Sequence, residues 1–366
     1  MIPYNRAETC RGPYGSGPDS LPSSASKRKM KGRCMNVRQA RPTNDIQESP
    51  PSAPIRLSRA GVTRSAKRVR LRTGAEEHHI RAEIACFSDL AATRKGAHMS
   101  RFDEQMNAAI EEIVERGGLD IAELATQIAV RVADAQDARR GEVWITADHP
   151  VTRRTPASGL QTQELYELTG VAVAGPDGVR TAVGVTVQGM NACPCAQDLM
   201  REQAETALRD DGFGGDDIAR ILARVPIATH NQRAKGTLII GGPAPVALDT
   251  MIDIVEDSMS SEIYELLKRT DERYVVDRAH RRPRFVEDSV REMVFGVVRR
   301  LPELPDATFL RAHQANFETI HAHDVEAERS GLLGDVRREL MGVDEDAPQI
   351  SLAEWLAAGP GPGGRS

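Results

Sequence analysis

Apolar and polar positions along the chain alternate in two rhythms, one of period 2 and one near 3.6, and the rhythms come in blocks. From His78 to Phe87 the residues Ile80, Ala82, Ile84 and Cys86 fall on one side and His79, Arg81 and Glu83 on the other, which predicts a half-buried strand. Phe102, Met106, Ile110 and Ile113 then recur at helical spacing, and a second helix is predicted from Leu119 to about Ala135. Strand signals return near Glu142–Ala147. They return again in a hairpin whose turn, Pro176-Asp177-Gly178, joins Glu167–Ala174 to Val179–Gln188.

The second half repeats the theme. Thr237–Ile240 reads as a short strand, and Ile252, Val255, Met259, Ile263 and Leu266 stripe one face of a helix. A further helix carries Val286, Val290, Met293, Val297 and Leu301, and Thr308–Phe317 is strand-like. Strand pairs alternating with helix pairs, twice over, predict an α+β fold with an antiparallel sheet and helices on one face.

The two ends depart from this pattern. Residues 1–54 hold eight of the 21 prolines and almost no apolar periodicity, so they are predicted to be a disordered tail. The basic run Lys27-Arg28-Lys29-Met30-Lys31-Gly32-Arg33 inside it reads as solvated charge, with a nucleic-acid or lipid contact as the alternative. Residues 55–345 are predicted to form the folded domain in two tandem halves, and 346–366 a C-terminal tail whose last part, Gly359–Ser366, is Gly/Pro-rich.

Composition narrows the function classes. No stretch approaches the roughly 18 consecutive apolar residues of a membrane helix, so no membrane partner is expected. Lys and Arg number 48 against 53 Asp and Glu, and a net charge of −5 implies no general affinity for nucleic acid. The five cysteines, at 10, 34, 86, 193 and 195, are too scattered for a disulfide framework. The first thirty residues hold no apolar leader, and a reducing cytoplasm is the expected location. Neither GxGxxG nor GxxxxGK[ST] occurs, so no dinucleotide or P-loop site is predicted.

The candidate chemistry lies in the second half. Gly189-Met190-Asn191-Ala192-Cys193-Pro194-Cys195-Ala196-Gln197 follows a strand and precedes a helix pattern, and a helix N-terminus favours the metal-binding thiolate. C-P-C alone fits two ordinary cysteines equally well. Thr229-His230-Asn231-Gln232-Arg233 places an imidazole just before a strand, and Asn316–His323 offers Glu318, His321 and His323 within six positions. A helical path puts Glu318 and His321 on one face, and an extended path puts His321 and His323 there instead. Thiolate, imidazole and carboxylate together suit Zn, Fe(II) or Mn(II), with room for an activated water.

Six segments in this order resemble the type IB GTP cyclohydrolases, including the archaeal enzymes of that group: KGAHMSR (95–101), GMNACPCAQ (189–197), THNQRAKGTL (229–238), SSEIYELLKRTDERYV (260–275), RFVEDSVRE (284–292) and NFETIHAHDVEAE (316–328). The resemblance implies the tunnelling fold, in which antiparallel sheets from several subunits form a barrel lined outside by helices. A homotetramer with active sites between subunits is implied with it. It further implies one divalent metal per site, Fe(II), Mn(II) or Zn(II), on Cys193 and His230, with Glu272, Glu318 and His321 completing the set. Glu287, which by itself reads as an exposed helix residue, matches the carboxylate that anchors guanine. Cys195 and His323 match proton-transfer or positioning groups, and Lys95, His98, Arg101, Lys268 and Arg269 are cations for the triphosphate, with Thr155 and Ser158 as further hydroxyl contacts. The implied reaction is hydrolytic opening of the guanine imidazole ring of GTP with formate release, giving 7,8-dihydroneopterin triphosphate in pterin or folate biosynthesis. Two departures stand out. Thr270 replaces the proline that many members carry before the Asp-Glu pair. The 37 positions from Cys193 to His230 make a long connector resembling the archaeal branch, whose product is the 2′,3′-cyclic phosphate. A non-catalytic purine- or metal-binding homologue is the alternative from another class.

Overall fold

The first strand pair is β1 (Leu57–Thr73) and β2 (Glu76–Leu90), followed by helices α1 (Met99–Glu115) and α2 (Ile121–Ala135), then β3 (Gly141–Arg154) and β4 (Gln161–Gly175). The computed structural model describes residues 45–73, 76–115, 120–343 and 347–358. The second half runs β5 (Gly178–Ala192), α3 (Pro194–Asp210), α4 (Gly215–Arg224), β6 (Asn231–Gly241), α5 (Leu248–Ser258), β7 (Ser261–Glu262), α6 (Arg269–Arg281), α7 (Val286–Arg300), β8 (Phe309–Phe317) and β9 (Val325–Leu332). Two short helices follow, α8 (Leu333–Leu340) and α9 (Leu352–Ala357). The strands form one antiparallel sheet in the order β1-β2-β3-β4-β5-β6-β8-β9, with β7 added beside β5. The α+β expectation holds, with a pair–helices–pair layout in each half.

Alternation along the strands explains where the core lies. Ile84 and Cys86 of β2, Val143 and Ile145 of β3, Val185 and Val187 of β5, Leu238 and Ile240 of β6, and Leu310 and Ala312 of β8 share the face covered by α2, α5 and α7. Those helices contribute Leu124, Ile128, Met251, Ile252, Met293 and Val297 to the same core. Phe102 and Met106, Ile252 and Val255, and Val290, Met293 and Val297 are buried as the 100°-per-residue stripes predict, with one exception among the described residues. The stripe through Ile263 and Leu266 breaks, because α5 ends at Ser258 and Met259 is already extended. Ser260 accepts a hydrogen bond from Ala192 N through its hydroxyl, and Ser261 pairs with Met190 in β7. Serines at 258, 260 and 261 offer competing side-chain bonds to the backbone, which ends the helix there.

Both chain ends carry more structure than their composition predicts. Residues 1–44 of the expected N-terminal tail lie outside the described residues, but Asp45–Pro54 do not. Gln47 O accepts hydrogen bonds from Lys95 N and Gly96 N, and Glu48 pairs with Arg94. At the other end α9 packs against the sheet face opposite the long helices, so the helices do not all lie on one side. Trp355 is 7% exposed and stacks on Phe309 with ring centroids 5.1 Å apart, beside Val171, Val173, Ala182 and Ile239. Gly241 makes room for it: a Cβ there would stand 2.6 Å from the indole. Trp355→Ala is expected to destabilise the protein by about 3–5 kcal/mol, visible as a lower urea midpoint, because it removes a buried indole packed on Phe309 and the sheet. The stretch Gly359–Ser366 lies outside the described residues.

Candidate metal and substrate site

The ends of β5, β6 and β8 meet at one edge of the sheet, and most of the candidate residues gather there. Cys193 caps α3: its backbone is extended, its Sγ accepts from Ala196 N at 3.5 Å, and Pro194 occupies the first turn. The thiol therefore stands at a helix N-terminus as the sequence predicts. Cys193 N donates to His230 O at 3.0 Å, and Thr229 Oγ1 donates to Cys193 O at 2.7 Å. These bonds close the long connector, α3 and α4, onto itself. Cys195 is exposed two residues further on, in the first turn of α3.

Glu318 reaches the same place from β8. It sits one residue past Phe317, which pairs with Arg233. The path from Glu318 to Asp324 is neither helix nor strand but a run of bends, pinned by Glu318 N donating to Asp324 Oδ1 and by Thr319 Oγ1 donating to Asn231 O. Neither of the two paths weighed for this segment is taken. Yet His321 lies edge-on to His230 with ring centroids 6.4 Å apart, and it stacks on His323 at 5.2 Å. His230 Nδ1 and Glu318 Oε2 stand 3.8 Å apart. Both atoms are buried and without a hydrogen-bond partner.

That pair tests whether a metal fits. Buried polar atoms in folded proteins nearly always have partners, and an imidazole nitrogen facing a carboxylate oxygen, both without one, is chemistry that a divalent cation would fit. His230 and Glu318 face each other and His321 lies beside His230, but no three ligand atoms of His230, Glu318, His321 and Cys193 come within 4.8 Å of one another among the described residues. Glu272 does not join them in this chain. It is exposed in the first turn of α6, whereas its neighbour Asp271 is buried. Burial pushes the Asp271 carboxyl up, but bonds from the Ser158 hydroxyl and from the backbone N–H groups of Ser158, Lys268 and Ala157 outweigh it and hold it well below the usual carboxylate range. Asp271 thus ties the 155–159 turn, with Thr155 and Ser158, to the start of α6, where Lys268 and Arg269 are exposed.

Glu287 stands on the exposed side of the first turn of α7 and makes no ion pair among the described residues. That turn is fastened to the same sheet edge. Arg284 N donates to Ala192 O at 2.9 Å, and Asn191 Nδ2 donates to both Ser289 Oγ and Asn316 Oδ1. Asn191, Gln232, Asn316 and Ser289 are all buried polar residues at inward-facing positions. The sequence reading passed over them, although polar side chains where alternation calls for apolar ones were the available signal.

The remaining candidates lie elsewhere. Gly141 of β3 pairs with Ala174, and Gly175 pairs with Gly178, so the start of β3 is at the opposite end of β5 from Cys193. At that far edge His98 N donates to Gln136 Oε1 and Arg101 Nη1 donates to Ala135 O. Lys95 is exposed beside them. The intervening length of β5 is on the order of 40 Å at about 3.3 Å per residue. His98 Nε2 lies 2.9 Å from Glu48 Oε1 and 3.5 Å from Asp45 Oδ2. Among the described residues these three are the set of His, Cys, Asp or Glu ligand atoms lying within 4.8 Å of one another. The Arg94 guanidinium, 2.6 Å from the same Glu48 oxygen, already neutralises that carboxylate.

The third described cysteine is inert by placement. Burial pushes the Cys86 thiol up to about 12, and the Glu142 charge adds to it. Iodoacetamide at pH 8 is expected to label exposed Cys195 readily and Cys86 only after denaturation, as read by peptide mass.

The sequence pattern of the family described as "Type I GTP cyclohydrolase folE2" matches residues 43–327, which takes in every one of these groups. The chain belongs to that family. The GTP cyclohydrolase MptA of Methanococcoides burtonii is 39% identical over 305 residues, spanning 81% of this chain and 96% of that one. The MptA of Methanocaldococcus jannaschii is 38% identical over 308 residues, spanning 82% and 98%. Solved structures similar to this one are far more distant. A uricase from Arthrobacter globiformis superposes with a TM-score of 0.40 at 10% identity over 75% of this chain and 93% of that one. No described helix is long and apolar enough to cross a membrane.

Proposed function

We propose that the protein is a metal-dependent GTP cyclohydrolase that opens the guanine imidazole ring and releases C8 as formate. An enzyme acting on GTP is what family membership supports. The observation that carries the metal reading is the buried, unpartnered pair of His230 Nδ1 and Glu318 Oε2 beside Cys193 and His321. His230 and Glu318, with Cys193 and His321, would hold the divalent metal, Fe(II), Mn(II) or Zn(II), which when bound would supply the Lewis acid that makes water nucleophilic near neutral pH.

The chain's own residues do the rest. Glu287 accepts two hydrogen bonds from guanine, N1–H and the 2-amino group, and its freedom from ion pairs leaves both oxygens available. Lys268 and Arg269 offer cations to the triphosphate from the start of α6. Cys195 Sγ and a ring nitrogen of His323 hold and return the protons that the two hydrolytic steps move. The other three cations, Lys95, His98 and Arg101, sit at the far edge of the sheet and serve the site of an adjoining subunit. That arrangement supports the tunnelling fold and the tetramer.

Glu287→Gln is expected to raise KM for GTP roughly 10- to 100-fold, since hydrogen bonds to a charged group are worth about 1.5–3 kcal/mol and the amide both loses the charge and turns a donor toward guanine, with a smaller change in kcat. The helical connector built from α3 and α4 favours a second reading of the product, the 2′,3′-cyclic phosphate with loss of pyrophosphate. Anaerobic incubation with GTP and each metal in turn, reading products by mass, tests both. Dihydroneopterin triphosphate with formate supports the first product, and cyclic phosphate with formate and pyrophosphate the second. Bound GTP without formate under any metal refutes the enzyme and leaves a sensor.

A further inference from the structure

We infer that Gln232 is a positioning residue for Glu318: its carboxamide holds one carboxylate oxygen so that the other is presented, singly, beside His230. The inference rests on the metal reading above and goes further by naming a residue outside the ligand set that shapes it.

The backbone brings the three side chains together. Continuing the β6–β8 register by one pair beyond Arg233 and Phe317 sets Gln232 opposite Glu318, and the Thr319 hydroxyl on Asn231 O, 3.1 Å away, holds the chains in that alignment. His230 lies two residues before Gln232, so both point to the same side of the strand line. Gln232 Nε2 donates to Glu318 Oε1 at 3.0 Å. Only 5% of Gln232 is exposed, and only 7% of the Glu318 side chain.

Chemistry fixes the direction of this bond. A carboxylate can only accept, so the amide nitrogen must face it and the amide oxygen must turn away. Three buried atoms are then without partners: His230 Nδ1, Glu318 Oε2 and Gln232 Oε1. The first two face each other across 3.8 Å. The third is an acceptor directed elsewhere, able to take a hydrogen bond from a bound water. With Oε1 held by the amide, Oε2 is the oxygen without a partner, and it is presented toward His230 in a fixed orientation. Without the amide the carboxylate is free to rotate about its terminal bond and its oxygens become interchangeable. Partners that orient a ligand in this way typically contribute 10- to 100-fold to metal affinity.

The test uses the full chain, freed of metal and titrated anaerobically with Co(II), whose visible bands report ligand geometry. A competing chelator gives the Kd. Gln232→Met keeps the length and volume of the side chain but removes the donor. Gln232→Asn keeps the amide but withdraws it by one methylene, and stands in if the Met variant does not fold. Both are expected to bind Co(II) roughly 10- to 100-fold more weakly than wild type and with shifted bands, while the metal-free proteins keep wild-type far-UV spectra. Wild-type Kd and bands in both would overturn the positioning role. Glu318→Gln separates that result from failure of the metal reading. If Glu318→Gln loses Co(II) while the Gln232 variants keep it, the metal site stands and this inference falls. If wild type takes up no Co(II), or Glu318→Gln binds it as wild type does, both fall together.

Discussion

Replacing Cys193 with Ala is expected to lower formate production from GTP by about a thousandfold or more, and to leave the protein with less than one tightly held metal per chain. The size follows from what the site asks of its ligands. Polarising a carbonyl-like centre and ionising water are together worth several kcal/mol of barrier, and each 1.36 kcal/mol is a factor of ten. The fold should survive, because Cys193 contributes little to the core. It is half-buried, and its structural bonds to His230 and Thr229 run through the backbone. The thiol's own bond, from Ala196 N, is a long cap at 3.5 Å, and losing such a cap costs about 1 kcal/mol. Metal content by elemental analysis and an unfolding midpoint close to wild type would together place the defect at the site. A variant with full activity would remove Cys193 from the metal.

The second large effect concerns the two edges of the sheet. His98→Ala and Cys193→Ala are each expected to be inactive alone, yet co-refolding them in equal amounts should restore activity to roughly a quarter of wild type. In a head-to-tail assembly each site takes one edge from each of two neighbours, and random mixing pairs the two intact edges in one site of four. The prediction comes from distance. Cys193 ends β5 while His98 lies beside the start of β3, at the other end of the strands, so one chain cannot bring both to one nucleotide. His98 also supports the 45–48 segment through Glu48, so the activity of the mixture has to be compared with the folded fraction of each parent. No recovery from two well-folded parents would show that His98 is a structural partner of Glu48 and plays no part at a neighbour's site.

Much of the fold was legible because strand and helix periods report directly on which side of a backbone faces the core. The run from Ile80 to Cys86, the stripe begun by Phe102 and Met106 and the Pro176-Asp177-Gly178 hairpin are all found where the periods put them. The errors fall where local pattern and tertiary contact disagree. Ile263 and Leu266 continue a helical spacing, but the serines at 258, 260 and 261 and the vacant edge of β5 draw the chain into a strand. The Gly/Pro-rich end makes 346–366 look like a tail, yet one tryptophan with a groove made by Gly241 and Phe309 is enough to dock α9.

By itself the sequence determined the alternation of strand pairs and helix pairs, and which thiol, imidazole and carboxylate side chains the chain carries in what order. These depend on residue type and spacing, which are properties of the chain. Only the tertiary structure decided which of them meet. It brought His230, Glu318 and His321 to the end of Cys193's strand, kept Lys95, His98 and Arg101 at the far edge, and chose Asp271 over Glu272 as the buried carboxylate. It also revealed Gln232, whose role arises from a cross-strand pairing of residues 86 positions apart. Such a contact is set by sheet register, and register is fixed by how every strand buries its apolar side.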